Sequence, residues 1–233
     1  QPYQFIILVL VVLLIVVAVT EFPRCKPLAA DSNESKATIG ETLRYLAGNG
    51  RFKAGIVAQF LYVGMQTAVW SFTIRLALQL DPALNERVAS NYMIWAFIGF
   101  FVGKFIANIL MTKFNENKVL IVYSILGVLA LLYVINVHNM SAVWAAIFTS
   151  ALFGPCWATI YARTLDTIED KRHTETGGAV IVMSIIGGAV IPVIQGFVSD
   201  HTGSMQTAFI VSLLCFAAVL VYFISARRWE LNK

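Results

Sequence analysis

Apolar residues run along this chain in blocks of membrane-crossing length, separated by short polar stretches. The blocks are Gln4–Thr20, Ala54–Leu80, Val88–Met111, Val119–Val137, Ala142–Leu165, Gly178–Ser199 and Thr207–Ala226. The hydrocarbon core of a bilayer takes about 20 residues of helix, so the pattern predicts seven spans and an all-α integral membrane protein. Their spacing is uneven: one span, a long polar stretch over Glu21–Lys53, then six spans in close succession. That is the layout of the last helix of one half followed by a complete six-helix second half. The chain divides accordingly into residues 1–20 as that last helix, 21–53 as a linker, 54–228 as the six-helix bundle and 229–233 as a tail. Gln1 is not a methionine and the first span lacks a small-residue cleavage site, so the expectation is a chain that starts in mid-protein, not a signal peptide.

Polar residues inside the blocks sort by helical face. In Ala54–Leu80, the residues Gln59, Tyr62, Gln66, Trp70 and Thr73 recur at steps of three and four and so share one stripe. Amides, hydroxyls and aromatic faces on one side suit a sugar, whose hydroxyls need hydrogen-bond partners and whose C–H faces stack on rings. Polar contacts between helices are the competing use of such a stripe. Ala142–Leu165 repeats the theme with Ser150, Gly154, Trp157 and Tyr161, and Pro155 predicts a kink beside them because proline removes a backbone hydrogen bond. In Gly178–Ser199, the residues Gly187, Gly188 and Pro192 permit close packing and bending, with Gln195 nearby. Val119–Val137 and Thr207–Ala226 are nearly featureless and read as lipid-facing supports. Four polar-faced spans with plain third and sixth members give the rhythm of two inverted three-helix repeats, as in a transporter half.

Composition agrees: 58% of the residues are hydrophobic and 13% charged, with mean hydropathy +0.75, against about 25% charged in soluble domains. Basic residues fix the orientation, because short loops rich in Lys and Arg stay on the cytoplasmic side. With Glu21–Lys53 inside, 14 of the 17 basic residues lie inside, only Arg87 lies outside, and Arg75 and Lys104 are embedded. The net charge of +4 is thereby explained by topology and gives no reason to invoke nucleic acid.

An ionisable side chain at membrane depth faces a protein-lined pathway more often than lipid. Lys104 shares a stripe with Phe97, Phe100 and Asn108, which points to a cavity, whereas Arg75 is close enough to the outer interface to snorkel or to pair with Asp81 or Glu86. Cys25, Cys156 and Cys215 have no metal-ligand spacing, and His138, His173 and His201 are expected in loops. No metal, cofactor, phosphate loop or nucleophile motif is expected, and no enzymatic activity. All 13 acidic residues fall in loops or at span ends, so a proton-coupling carboxylate is not expected within these spans. Within the linker, Pro27–Ser35 is small and polar. Thr38 with Glu41 forms a capping-box signature before Ile39, Leu43 and Leu46, predicting a short amphipathic helix on the inner membrane face.

Several runs resemble a known family. Ala58–Ser71, Asn91-Tyr92, Phe100–Phe105, Ile181–Gly188 and Gly196–Asp200 are similar to the C-terminal half of the fucose permease family, sugar:proton symporters of the major facilitator superfamily. The resemblance implies a six-helix bundle facing a second one, a monosaccharide site between them and alternating access. It also implies a proton as co-transported ion, with the coupling carboxylates in the N-terminal half, and the expected location is the cell membrane, crossed several times, which is the inner membrane if the cell is Gram-negative. Residue by residue it marks Gln66, Trp70, Phe100 and Lys104 as cavity residues. Lys104 stands where the fucose carriers have arginine, and Cys156-Trp157 where they have glutamine and tyrosine. The full set of expected substrate-binding residues is Gln59, Tyr62, Gln66, Trp70, Phe100, Lys104, Trp157 and Tyr161, with Pro155, Gly187, Gly188 and Pro192 as hinges. Sodium-coupled or uncoupled hexose transport by the same fold, and a seven-helix receptor or scaffold, are the alternatives.

Overall fold

The computed structural model describes residues 2–20 and 37–231. The expected polar linker at Pro27–Ser35 lies outside the described residues. Every regular element among those described is helical. Residues Gln1–Lys36 form one unit and Ala37–Lys233 another. The first contains α1 (Pro2–Val19), apolar on all sides.

The second unit contains α2 (Ile39–Gly48), α3 (Gly50–Leu80), α4 (Glu86–Lys113), α5 (Glu116–Asn136), α6 (Ser141–Phe153), α7 (Cys156–Leu165), α8 (Thr174–Met183), α9 (Gly187–Thr202) and α10 (Met205–Leu231). Five stretches among the described residues are long and apolar enough to cross a membrane: α4, α5, α6 with α7, α8 with α9, and α10. The other two expected blocks also form helices. α1 is apolar over its 18 residues. α3 is ample in length at 31 residues, and its glutamines and threonines lower its hydropathy.

Two expected continuous spans are broken. Gly154 and Pro155 separate α6 from α7, because Pro155 has no N–H for the Ala151 carbonyl. That carbonyl faces α4, where a Cβ on Gly103 would lie only 1.9 Å from it. A 3-10 turn at Ser184–Ile186 separates α8 from α9, immediately before Gly187. Gly187 lies against the Phe60 carbonyl, 2.0 Å from where its Cβ would be, so a side chain here would push α9 off α3. α9 runs on through Pro192.

α3 is the central helix, packed against α4, α6, α7, α9 and α10. α10 is not a plain lipid-facing support: Phe209, Phe216, Val219 and Phe223 are fully buried. Phe216 fills the notch at Gly127 of α5, where a Cβ would sit 1.8 Å from its ring. The seven-residue spacing of the three phenylalanines sets a buried face that uniform apolarity hides.

α2 begins with the expected capping box: Thr38 Oγ1 accepts from the Glu41 amide at 3.3 Å and Glu41 accepts from the Thr38 amide at 2.9 Å. These bonds to Thr38 hold the Glu41 carboxyl below its ordinary range. Ile39 and Leu43 are exposed, but Leu46 is buried with Phe52, Ile168 and Ile181 in a small core distinct from the main one. The helix therefore docks one edge on the bundle.

Candidate functional site

Trp70 of α3 and the Phe97–Lys104 segment of α4 meet about midway along their helices. The Trp70 ring lies edge-on to Phe97 at 5.0 Å and to Phe100 at 5.5 Å, and its Nε1–H donates to Ser150 Oγ of α6 at 3.1 Å. The indole is thus held by three helices while remaining half-buried. α3 and α4 run antiparallel. Gln66, one turn from Trp70, and Lys104, one turn from Phe100, therefore lie on the same side of this aromatic cluster, toward the basic end of the bundle.

Lys104 is exposed, and no ion pair to it occurs among the described residues. Its backbone lies against the α6–α7 break: a Cβ on Gly154 would be 2.7 Å from the Lys104 Cα. Only glycine at 154 lets α4 come this close, which places the ammonium stem beside the kink. Beyond the break, Trp157 and Tyr161 stack with ring centroids 5.5 Å apart and planes within 8°. Trp157 is 36% exposed. Exposed or half-buried side chains here are thus the Trp70 indole, the Gln66 amide, the Lys104 ammonium and the stacked pair of Trp157 and Tyr161.

Two expected members are not among them. Tyr62 is fully buried, and its hydroxyl donates to the Phe153 carbonyl at 2.8 Å. It serves the carbonyls left beside the proline break. Gln59 is also fully buried, and neither end of its amide meets a protein partner. The stripe is one helical face, as its period predicts, but half of that face turns toward α6 and α7. Tyr62→Phe tests this: loss of a buried donor costs about 1–3 kcal/mol, so thermal stability should fall while affinity for any ligand held at Trp70 stays unchanged. A large affinity loss at unchanged stability would return Tyr62 to the site.

Arg75 stands over the Phe72 ring at 5.5 Å and makes no ion pair with Asp81 or Glu86 among the described residues. Expected in a loop, His173 lies in the connection between two spans but is only 6% exposed, at the end of a 3-10 turn, Lys171–His173. His201 lies within α9. At the end of the bundle where α2 meets α3, a cleft of about 880 Å³ is lined by Tyr45, Asn49, Arg51, Arg163, Tyr222 and Trp229 among others. Arg51 covers the Trp229 ring at 5.7 Å and Arg163 pairs with Glu116 at 3.3 Å. No group of metal-ligating side chains occurs among the described residues.

The model of the Major Facilitator Superfamily matches residues 55–231. The L-fucose-proton symporter of Escherichia coli (strain K12) is 30% identical over 223 residues, 95% of this chain and 50% of that protein. The glucose/galactose transporter of Brucella abortus biovar 1 (strain 9-941) is 26% identical over 225 residues, covering 95% and 52%. A crystal structure of a Major Facilitator Superfamily transporter in the outward conformation, FucP, superposes with a TM-score of 0.82 at 30% identity, covering 97% of this chain and 54% of that one. The chain spans about half the length of the curated relatives it matches.

Proposed function

The chain belongs to the Major Facilitator Superfamily, and from that premise we propose that it supplies the C-terminal half of a secondary active transporter for a fucose-like hexose. The observation that carries this reading is the set of exposed or half-buried side chains Lys104, Gln66, Trp70, Trp157 and Tyr161, in a bundle with five stretches long and apolar enough to cross a membrane. Lys104 and Gln66 would serve ring hydroxyls, while Trp70 with Phe100, and Trp157 with Tyr161, would supply stacking faces. The second six-helix half would close the site from the opposite side.

Transport would proceed by alternating access, with bending at Gly154-Pro155 and at the 3-10 turn before Gly187 and Gly188. Proton symport is supported by the names of the relatives: two are L-fucose-proton symporters. Among the described residues the acidic side chains sit in loops or near helix ends, so the proton carrier belongs to the partner half. That same distribution favours uncoupled hexose transport as the second reading. The location that suits either is the inner membrane of a Gram-negative cell.

Counterflow of labelled fucose, galactose and glucose by the full-length protein in liposomes, with and without a pH gradient, tests both readings. A pH-dependent flux of one of these sugars is expected. A sugar flux indifferent to pH selects the uncoupled reading, and absence of flux for all three removes the assignment to hexoses.

A further inference from the structure

We propose that α2 is a strap that is fastened to the α7–α8 hairpin and travels with it whenever that hairpin bends. This rests on the transport reading for its function and on the following contacts for its geometry. α2 is tied to the turn between α7 and α8 at two places. Thr42, fully buried, has its hydroxyl 2.8 Å from His173 Nδ1. The ring of Tyr45 stacks on the same imidazole at 4.5 Å and 22°. Just past the helix, Asn49 Nδ2 donates to the Thr167 carbonyl at 2.8 Å.

The imidazole is braced from the other side. His173 Nε2 lies 3.6 Å from Asp170 Oδ2, and that carboxylate is gripped by Arg172, whose Nη2 donates to it at 2.7 Å. Hydrogen bonds from Arg172 hold the Asp170 carboxyl down at about 2, so this brace stays ionised at any cellular pH. Beneath the polar ties lies the small separate core of Leu46, Phe52, Ile168 and Ile181. Gly177 of α8 admits Ile168 to it, since a Cβ there would lie 2.3 Å from the Ile168 Cδ1.

These contacts coincide with the two interruptions of the bundle. α7 lies on the hairpin side of the Gly154-Pro155 break, and α8 on the hairpin side of the 3-10 turn at Ser184–Ile186. Helices deform most readily where their backbone ladder is interrupted. The hairpin is the part of the bundle with an interruption in both of its strands of chain, and α2 is bonded to its tip. Bending there carries α2 along.

Two measurements on the full-length protein decide the matter. In a Cys25→Ser background, Thr42→Cys with His173→Cys is joined by a short bifunctional maleimide, and joining is verified by mass spectrometry. Sugar counterflow by the joined protein is expected to stay within about twofold of the unjoined variant, because parts that move together are indifferent to a link between them. Arrest of counterflow on joining would overturn the proposal, since α2 would then have to leave the hairpin during transport. In hydrogen exchange, Thr42→Val is expected to reduce protection of residues 39–48 and 174–183 together, by about tenfold for one lost buried hydrogen bond. Loosening of 39–48 alone, or of neither segment, would equally overturn it. If the unmodified protein moves none of the sugars, the transport reading fails, and the exchange measurement still decides the strap. The same measurement decides where the unjoined cysteine variant is inactive.

Discussion

Lys104→Met is expected to slow sugar counterflow by the full-length protein about 10- to 100-fold, the range that follows from losing one hydrogen bond to a charged group. Thermal stability is expected to stay within about 2 °C of the unmodified protein, because exposed substitutions rarely change stability by more than about 0.5 kcal/mol. The two expectations separate because of where the residue stands. The packed face of α4 is made by Ala89, Ala96, Gly103 and Ala107, while the Lys104 side chain leaves that face and meets no carboxylate among the described residues. Methionine keeps the length and flexibility of the stem and removes only the ammonium. Lys104→Arg is expected to keep most of the activity, with the planar guanidinium changing which sugar is preferred. Unaltered counterflow in Lys104→Met would take Lys104 out of the site. A collapse of stability would instead mean that the ammonium holds the bundle together.

The membrane character of the chain and its helix count within the bundle were legible because apolar block length and charge placement are sums over many residues. The capping box at Thr38 and Glu41 was legible for the opposite reason, since it is a local exchange of two hydrogen bonds between fixed positions. Pro155 announced its break equally well. The direction a stripe faces was not legible. Period alone puts Gln59, Tyr62, Gln66 and Trp70 on one face of α3, yet Gln59 and Tyr62 are fully buried while Gln66 and Trp70 are half-buried, so the stripe runs from a packed seam to its edge. Nothing local marks that boundary, which is set by where α6 and α7 happen to cross. α10 was misread because a helix apolar on every side conceals which side is buried; the spacing of Phe209, Phe216 and Phe223 was the signal available. His173 lies in the connection between two spans, as expected, but its burial was not legible. Its burial depends on α2, more than a hundred residues earlier, folding back over it.

Trp70→Ala is expected to weaken sugar binding at least tenfold, more than loss of its hydrogen bond could, because the ring does two things at once. It offers a flat apolar surface, and it wedges α3 against Phe97, Phe100 and Phe153. Truncating a core tryptophan costs about 3–5 kcal/mol in stability, and this half-buried one should fall at or below the lower end of that range. Two companions divide the effects. Ser150→Ala removes only the acceptor at 3.1 Å, so a loss of about 0.5–1.5 kcal/mol in stability and a small change in affinity are expected. Trp70→Phe keeps a ring between the α4 phenylalanines and gives up the N–H and part of the stacking area. Affinity for the transported hexose, measured by titration calorimetry on the full-length protein, should then rank unmodified, Ser150→Ala, Trp70→Phe and Trp70→Ala in descending order. If affinity instead tracks melting temperature across the four proteins, Trp70 acts only as a wedge. The stacking surface of the site would then have to be sought at Trp157 and Tyr161, whose parallel rings lie beyond the proline break.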